Sequence, residues 1–420
     1  MKVAIYHNLP PGGALRVLTE FLRRTSEVHD YDLYSVDMGR ADVFADARPA
    51  GTEHELSQYV SSSFRYPLFR GVAGRMPLGK LLPLEAVRRI ATVEREIAAD
   101  IDRRGYDVVL VHPCQLVHTP SLLRWLSTPS VHLMQEVRRQ SFEAGYRPPV
   151  EVKSVASLPR WVSTRLMERT LRRRDVLAAA AADRIVCNSC YSAEAIQRAY
   201  GRAADVCYPG VDGDVFDTGD GHGHGHGVGV GVEDDVAPRP HAALSVGALD
   251  PVKGHDLVVR ALSRLAPDER PVLHVVFERC DDAYRRELVS LAGSTGVDLR
   301  LHRGIDDAAL ARLYRSCAVT VVAARLEPFG LVPLESLACG TPVVGVREAG
   351  YRETIQSGVN GYLVERAATD IAEAVRRVLR GGLMTSPGAL RRTVVPGWDW
   401  DSFVKRQCEI LAATASGAGR

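Results

Sequence analysis

A chain of 420 residues has room for two domains of roughly 200 residues each. Its 46% hydrophobic and 25% charged content is that of a globular protein with filled cores. A net charge of +2 excludes a general electrostatic pull toward nucleic acid, and no apolar run approaches the ~18 residues of a membrane span.

The first predicted element is a strand over residues 2–7. It runs into a polar loop too soon for a signal peptide, which points to a cytoplasmic protein. The eight cysteines lie scattered in apolar segments and read as reduced core residues. Cys187 and Cys190 form a lone C-x-x-C with no second pair, so they carry no zinc or redox assignment. After the turn at Gly12-Gly13 comes a helix over 13–24. Strands follow at 107–112, 130–134 and 184–187, a helix over 191–200, and a strand at 205–208 before the Pro-Gly-Val-Asp turn. This alternation describes a Rossmann-like domain, residues 1–216.

Residues 217–240 are rich in glycine, with His222, His224 and His226 alternating with it. Such a tract cannot bury apolar surface and reads as a flexible linker. A second α/β domain, residues 241–395, starts with a strand at 242–246. Helices at 256–265, 283–293 and 307–316 alternate with strands at 272–277, 299–302 and 318–323. The last of these strands delivers Glu327 at its carboxyl end, where open α/β sheets bind ligands. Residues 396–420 hold a final helix.

Between Lys153 and Arg174, a run of arginines (160, 165, 169, 172, 173 and 174) is interleaved with Trp161, Val162, Leu166, Met167 and Leu171. This predicts a basic amphipathic helix, suited equally to anionic lipid or to plain solvent.

The most informative segment is Glu327-Pro-Phe-Gly-Leu-Val-Pro-Leu-Glu335, followed by Ser-Leu-Ala-Cys-Gly-Thr-Pro-Val-Val. Phe329-Gly330-Leu331 reads as a tight turn opening a helix, whose first amides have no intrahelical acceptor and favour phosphate. Glu327 lies at its mouth and Glu335 about two turns in, both able to accept from sugar hydroxyls. These features predict a sugar-nucleotide site. Gly12-Gly13 would let backbone approach a phosphate or sugar, or else form an ordinary turn. His112, at the carboxyl edge of its strand, is a candidate site histidine or a strand cap. His118 on the next loop is its reserve. Glu136 and Arg138 are acceptor candidates beyond the following strand. The Asp-x-Asp pairs at 212/214 and 399/401 fall in turns and receive no metal.

The Glu327–Glu335 segment resembles the E-x7-E signature of the family 4 retaining glycosyltransferases. The likeness extends to Gly12-Gly13, Asn188-Ser189, Tyr208–Asp212, Lys253-Gly254 and Leu310–Tyr314, and is weakest over 40–100 and 213–240. It implies the GT-B fold, α/β with two Rossmann-like domains facing each other across a cleft. The first would bind acceptor and the second nucleotide-sugar, with the last helix crossing back to the first.

The resemblance further implies transfer of a hexose from a UDP- or GDP-sugar to a hydroxyl acceptor (lipid-linked, polysaccharide or small metabolite). The anomeric configuration would be retained, with no cofactor and no metal. Lys253 would hold the diphosphate with Gly12, Gly13 and the amides of Phe329, Gly330 and Leu331. Glu335 would take the ribose, Glu327 a hydroxyl of the hexose, and Arg303–Ile305 the base. His112 would orient the acceptor or move its proton. In the family an arginine stands five residues before the lysine; here it is Ala248. Loss of a cation from the leaving diphosphate is worth ~3 kcal/mol of transition-state stabilisation, and Arg16, Arg303 or Arg325 is expected to substitute. Two rivals remain: a non-catalytic sugar-nucleotide-binding relative, and a phosphorylase or synthase acting on free sugars.

Overall fold

Strand β1 (Lys2–Asn8) is apolar on both faces, with Val3 to Tyr6 all buried, as a strand with helices on either side requires. It belongs to a computed structural model that describes residues 1–10, 12–37, 56–68, 83–143, 146, 158–219, 239–383, 386–395 and 397–417. The chain divides into two units, Met1–Tyr208 with Phe403–Arg420, and Pro209–Ser402.

In the first unit, α1 (Gly13–Thr25) follows β1 and buries Leu15, Leu18, Phe21 and Leu22 on one stripe. Strands β2 (Asp30–Asp37) and β3 (Ser62–Pro67), and helix α2 (Pro83–Arg104), come next. Then follow β4 (Val108–Cys114), β5 (Ser130–Leu133), helix α3 (Leu158–Ala181), β6 (Arg184–Cys187), α4 (Cys190–Tyr200) and the short β7 (Asp205–Val206). Ser189 caps α4 by accepting from the Ser192 amide at 2.9 Å. The strands form one sheet in the order β3-β2-β1-β4-β5-β6-β7, every pair parallel. The order reverses between β1 and β4, so the loops leaving those two strands diverge there.

A buried polar knot joins four elements of this unit. Glu94 on α2, fully buried, accepts from the Tyr6 hydroxyl at 3.0 Å and from the Ser121 amide at 2.7 Å. Arg174 on α3 donates to the Val87 carbonyl and to the Ser121 hydroxyl, both at 2.6 Å. Arg174 therefore faces inward and does not belong to the basic surface expected of residues 153–174. Residues 153–157, and the side chains of Arg160, Trp161 and Val162, lie outside the described residues.

The second unit begins at Pro209, earlier than the boundary at 216 drawn from sequence. Arg391 explains the difference, because it donates to the carbonyls of Gly213 at 2.8 Å and Phe216 at 2.7 Å. Phe216 packs edge-on against Tyr314. Of the 217–240 linker, residues 220–238 lie outside the described residues.

Strands β8 (Arg239–Val246), β9 (Val272–Phe277), β10 (Leu299–Arg303), β11 (Cys317–Val322), β12 (Val343–Val346) and β13 (Gly361–Val364) make a second parallel sheet, in the order β10-β9-β8-β11-β12-β13. Helices α5 (His255–Leu262), α6 (Asp282–Thr295), α7 (Asp307–Ser316) and α8 (Leu331–Ala338) lie between successive strands, and α9 (Ala368–Leu379) follows β13. The last helix, α10 (Trp400–Ala415), starts two residues after Trp398, and from Phe403 the chain belongs to the first unit.

Burial pushes the Glu94 carboxyl up to about 7 from an ordinary 4.5, against the lowering effects of its hydrogen bonds and Arg174. The folded state thus holds that proton more tightly than the unfolded chain does. Stability is lost as pH rises from about 4.5 through about 7, and no more is lost beyond it. We expect Glu94→Gln to remove up to roughly 3 kcal/mol of this pH-dependent loss, seen as a flatter pH profile in urea denaturation.

Candidate active site

The second sheet reverses its strand order between β8 and β11, and the loops leaving these two strands carry the donor-site candidates. The β8 loop closes with a 3-10 turn, Pro251–Lys253. The Asp250 carboxylate shapes that turn by accepting from the amides of Val252 at 3.0 Å and Lys253 at 3.2 Å. Gly254 follows with φ +71°, where an added Cβ would collide with the Ala323 carbonyl oxygen of the β11 loop. The two loops are also joined by the Arg325 amide, which donates to the Val252 carbonyl at 2.8 Å. This close approach delivers Lys253 Nζ to 2.8 Å from Glu327 Oε2.

The β11 loop is held from below by residues that sequence reading missed. Arg366 donates to the carbonyls of Ala323 at 2.9 Å and Ala324 at 2.7 Å, and to both oxygens of Glu348 at 2.6 and 2.8 Å. Glu348 also accepts from the Leu326 amide at 3.1 Å. Arg366 and that amide hold the Glu348 carboxyl below its usual range despite partial burial. Leu326 and Ala349 both have φ of +48°, local strain that this network sustains. Neither Arg366 nor Glu348 has a local sequence signal, since they meet across separate loops.

Gly330, with φ +89°, turns the chain into α8; a Cβ there would come within 2.7 Å of the Tyr351 ring. The first-turn amides of Leu331 and Val332 precede any intrahelical acceptor, and Pro333 has no amide to offer. The Phe329 side chain is buried against Trp398, 5.5 Å between ring centres, and its backbone packs closely on Gly350. Glu335 lies little more than one turn into α8 rather than two. It is buried and accepts from the Tyr314 hydroxyl at 2.9 Å.

His255, at the start of α5, was also missed, although a histidine directly after Lys-Gly could have drawn notice. Fully buried, it places Nε2 against the carbonyls of Gly247 at 3.3 Å and Ala248 at 3.2 Å, and Nδ1 against the Ser245 hydroxyl at 3.0 Å. The carbonyls require Nε2–H to donate, so Nδ1 accepts from Ser245. Burial holds the ring at about 4, hence neutral. Ala248 thus lies in a loop ordered by an uncharged side chain. Arg303 and Arg325, two candidates to replace the missing cation, are exposed.

In the first unit, β1 and β4 flank the corresponding reversal. Gly12 caps α1 beyond β1, with Gly13 opening the helix and Arg16 half-buried within it. His112 does not end its strand. Tyr6 pairs with Val111 and Asn8 with Cys114, so His112 and Pro113 bulge opposite His7. His112 is buried, and neither ring nitrogen has a hydrogen-bond partner among the described residues. Burial, then His7 and His132, hold it down to about 3. Such a ring can orient a hydroxyl, but it is a poor base near neutral pH.

His118, with φ +65°, has Nδ1 3.9 Å from Asp175, which accepts from the Thr119 amide and the Tyr200 hydroxyl. His132, another residue missed, bonds the Val111 carbonyl through Nδ1 at 2.9 Å. Beyond β5, Glu136 is paired with Arg139 at 2.7 Å, and Arg138 Nε donates to Ser141 at 3.2 Å. Lys253, Phe329, Gly330, Leu331, Glu327 and Glu335 therefore gather in one unit, and Gly12, Gly13, His112, His118, Glu136 and Arg138 lie in the other. No group of three His, Cys, Asp or Glu among the described residues could hold a metal ion.

Two Rossmann-like parallel sheets, with this loop pair at the second reversal, define a protein of GT-B fold. The model of the glycosyl transferases group 1 matches residues 235–389. The chain is 33% identical over 336 residues to a D-inositol 3-phosphate glycosyltransferase of Geodermatophilus obscurus, covering 76% of this chain and 69% of that protein. It is 29% identical over 385 residues to the Acidothermus cellulolyticus protein of the same name, with 82% of each covered.

Among solved structures, Anabaena Alr3699/HepE in complex with UDP and glucose is similar with a TM-score of 0.69 and 19% identity, over 98% of this chain and 100% of that one. Sucrose-phosphate synthase of Thermosynechococcus elongatus gives 0.71 and 19% over 99% of each. The chain belongs to the group 1 glycosyl transferases, of the family 4 type, as its E-x7-E segment implied.

The Arg366 clamp yields a stability prediction. Arg366→Ala would leave Glu348 partly buried without its partner and release the Ala323 and Ala324 carbonyls. We expect a loss of roughly 3 kcal/mol in chemical denaturation, recovered in part by adding Glu348→Gln.

Proposed function

We propose that the protein transfers a hexose from a nucleoside diphosphate sugar to a hydroxyl acceptor with retention at the anomeric carbon. The observation that carries this is the meeting of Lys253 and Glu327 at the mouth of α8, brought about by the Gly254–Ala323 approach. Lys253 and the α8 amides are suited to the diphosphate, Glu327 to a hydroxyl of the hexose and Glu335 to the ribose. In the reaction the bond from the anomeric carbon to the β-phosphate oxygen breaks. The acceptor oxygen bonds to that carbon on the same face, and its proton passes to the departing phosphate oxygen. Lys253 meets the charge that grows on this leaving group, and we assign no metal to it.

UDP-sugars head the donor list because HepE was solved with UDP-glucose, and a cyclitol phosphate heads the acceptor list because of the relatives' name. Arg325 is the preferred stand-in for the cation missing at Ala248, since its backbone adjoins the Lys253 turn. The eight cysteines are all free, in keeping with a reducing, cytoplasmic setting. No helix among the described residues is long and apolar enough to cross a membrane. Helix α3 nevertheless exposes Arg165, Arg169, Arg172 and Arg173 with Leu166 at 55% and Leu177 at 42%, a face suited to anionic lipid.

A panel of UDP-, GDP- and ADP-hexoses, with and without inositol 3-phosphate, tests the donor reading by thermal shift and nucleotide release. Glu327→Ala and Lys253→Ala should each lower turnover roughly 10²-fold, and Arg325→Ala about tenfold. Turnover unchanged in all three would refute the site. Product of inverted configuration by NMR would refute retention, and a requirement for inorganic phosphate would reveal a phosphorylase. For the α3 face, sedimentation with phosphatidylserine vesicles should show binding that falls roughly tenfold in Arg169→Glu/Arg173→Glu; equal binding to neutral vesicles would exclude an electrostatic contact.

A further inference from the structure

Lys253 is the one cation in the sequence between Val246 and Gly254, and its ammonium is engaged by Glu327 at 2.8 Å. The two side chains are 29% and 19% exposed, so a soluble ligand can reach the pair. Neither loop depends on it for shape. The Lys253 turn is set by the Asp250 cap and by the packing of Gly254 on Ala323. The Glu327 backbone is set by the Gly350 amide on its carbonyl at 2.9 Å and by the Arg366–Glu348 clamp below.

We propose that Glu327 is a built-in counter-ion that occupies the place of the diphosphate on Lys253, and so makes the site favour nucleotide sugar over free nucleoside diphosphate. The proposal rests on the donor-site reading above. A bare nucleoside diphosphate must draw Lys253 away from the Glu327 carboxylate and sets a polyanion beside that charge. A nucleotide sugar makes the same exchange, but its hexose hydroxyls donate to the released carboxylate. The spent nucleotide is then expelled as the ion pair re-forms, so one residue serves both in holding the sugar and in clearing the product.

The test is isothermal titration of the full chain with UDP and with UDP-glucose, for wild type, Glu327→Gln, Glu327→Asp and Lys253→Ala. Glu327→Gln should bind UDP about tenfold more tightly while UDP-glucose gains less or weakens, so the preference for the sugar collapses. Glu327→Asp, which keeps the charge, should hold UDP weak and show that charge rather than shape is responsible. Unchanged or weaker UDP binding in Glu327→Gln, with Lys253→Ala still losing UDP, overturns the counter-ion role and leaves the donor site standing. Should no nucleotide bind the wild type, and Lys253→Ala change nothing, both fall together.

Discussion

The proposed donor side of this molecule hangs on one backbone contact, Gly254 against the carbonyl of Ala323. The strand order reverses between β8 and β11, and two loops that would otherwise diverge are drawn together at a point where no side chain fits. Lys253 is the residue before that contact, and Glu327 lies four residues beyond its partner. An ion pair between residues 74 apart is therefore a consequence of backbone geometry. The strained Leu326 and the arginine clamp beneath it keep the second loop from relaxing away from the first.

The two units use opposite electrostatics at corresponding places. The β8–β11 reversal holds charged groups partly open to water. The β1–β4 reversal holds imidazoles packed away from it, and burial, helped by neighbouring histidines, keeps His112 and His132 neutral. In the reaction proposed, the leaving phosphate takes the acceptor proton, so an imidazole that stays uncharged suits its place. It can fix the direction of a hydroxyl without competing for its proton. The bulge opposite His7 matters here, because one extra residue in β4 changes which way that side chain is aimed.

Much of this was legible in the sequence where the chemistry is local. The turn at Gly330, the helix after it and the carboxylates at 327 and 335 sit in one short segment, so their pattern survives in one dimension. Most central strands of both sheets were readable because apolar runs such as Val108 to Val111 must be buried on both faces, whereas β2, β3 and β13 went unassigned. What escaped was whatever depends on pairing between distant elements. Arg366 and Glu348 look like surface residues in a sequence, and His255 like any helix residue. Glu94 gives no sign of meeting Tyr6 and Ser121. The inward turn of Arg174 also escaped, because a run of three arginines carries no mark of which one a neighbouring helix will claim.

The missing arginine at 248 acquires a physical meaning from this geometry. With two fixed cations the loop would present positive potential at all times and would hold any diphosphate, including the product. With Lys253 the one cation of its own loop, and a carboxylate already upon it, the resting pair is close to neutral, and further attraction comes from the α8 amides and from Arg325 on the adjoining loop. His255 fits the same scheme, since it orders the Ala248 backbone without adding charge. The field that a leaving group needs then develops only when a ligand has displaced Glu327, and the ligand best able to do so is one that offers hydroxyls in exchange. Selectivity for a loaded donor can thus arise from removing a cation as readily as from adding a contact.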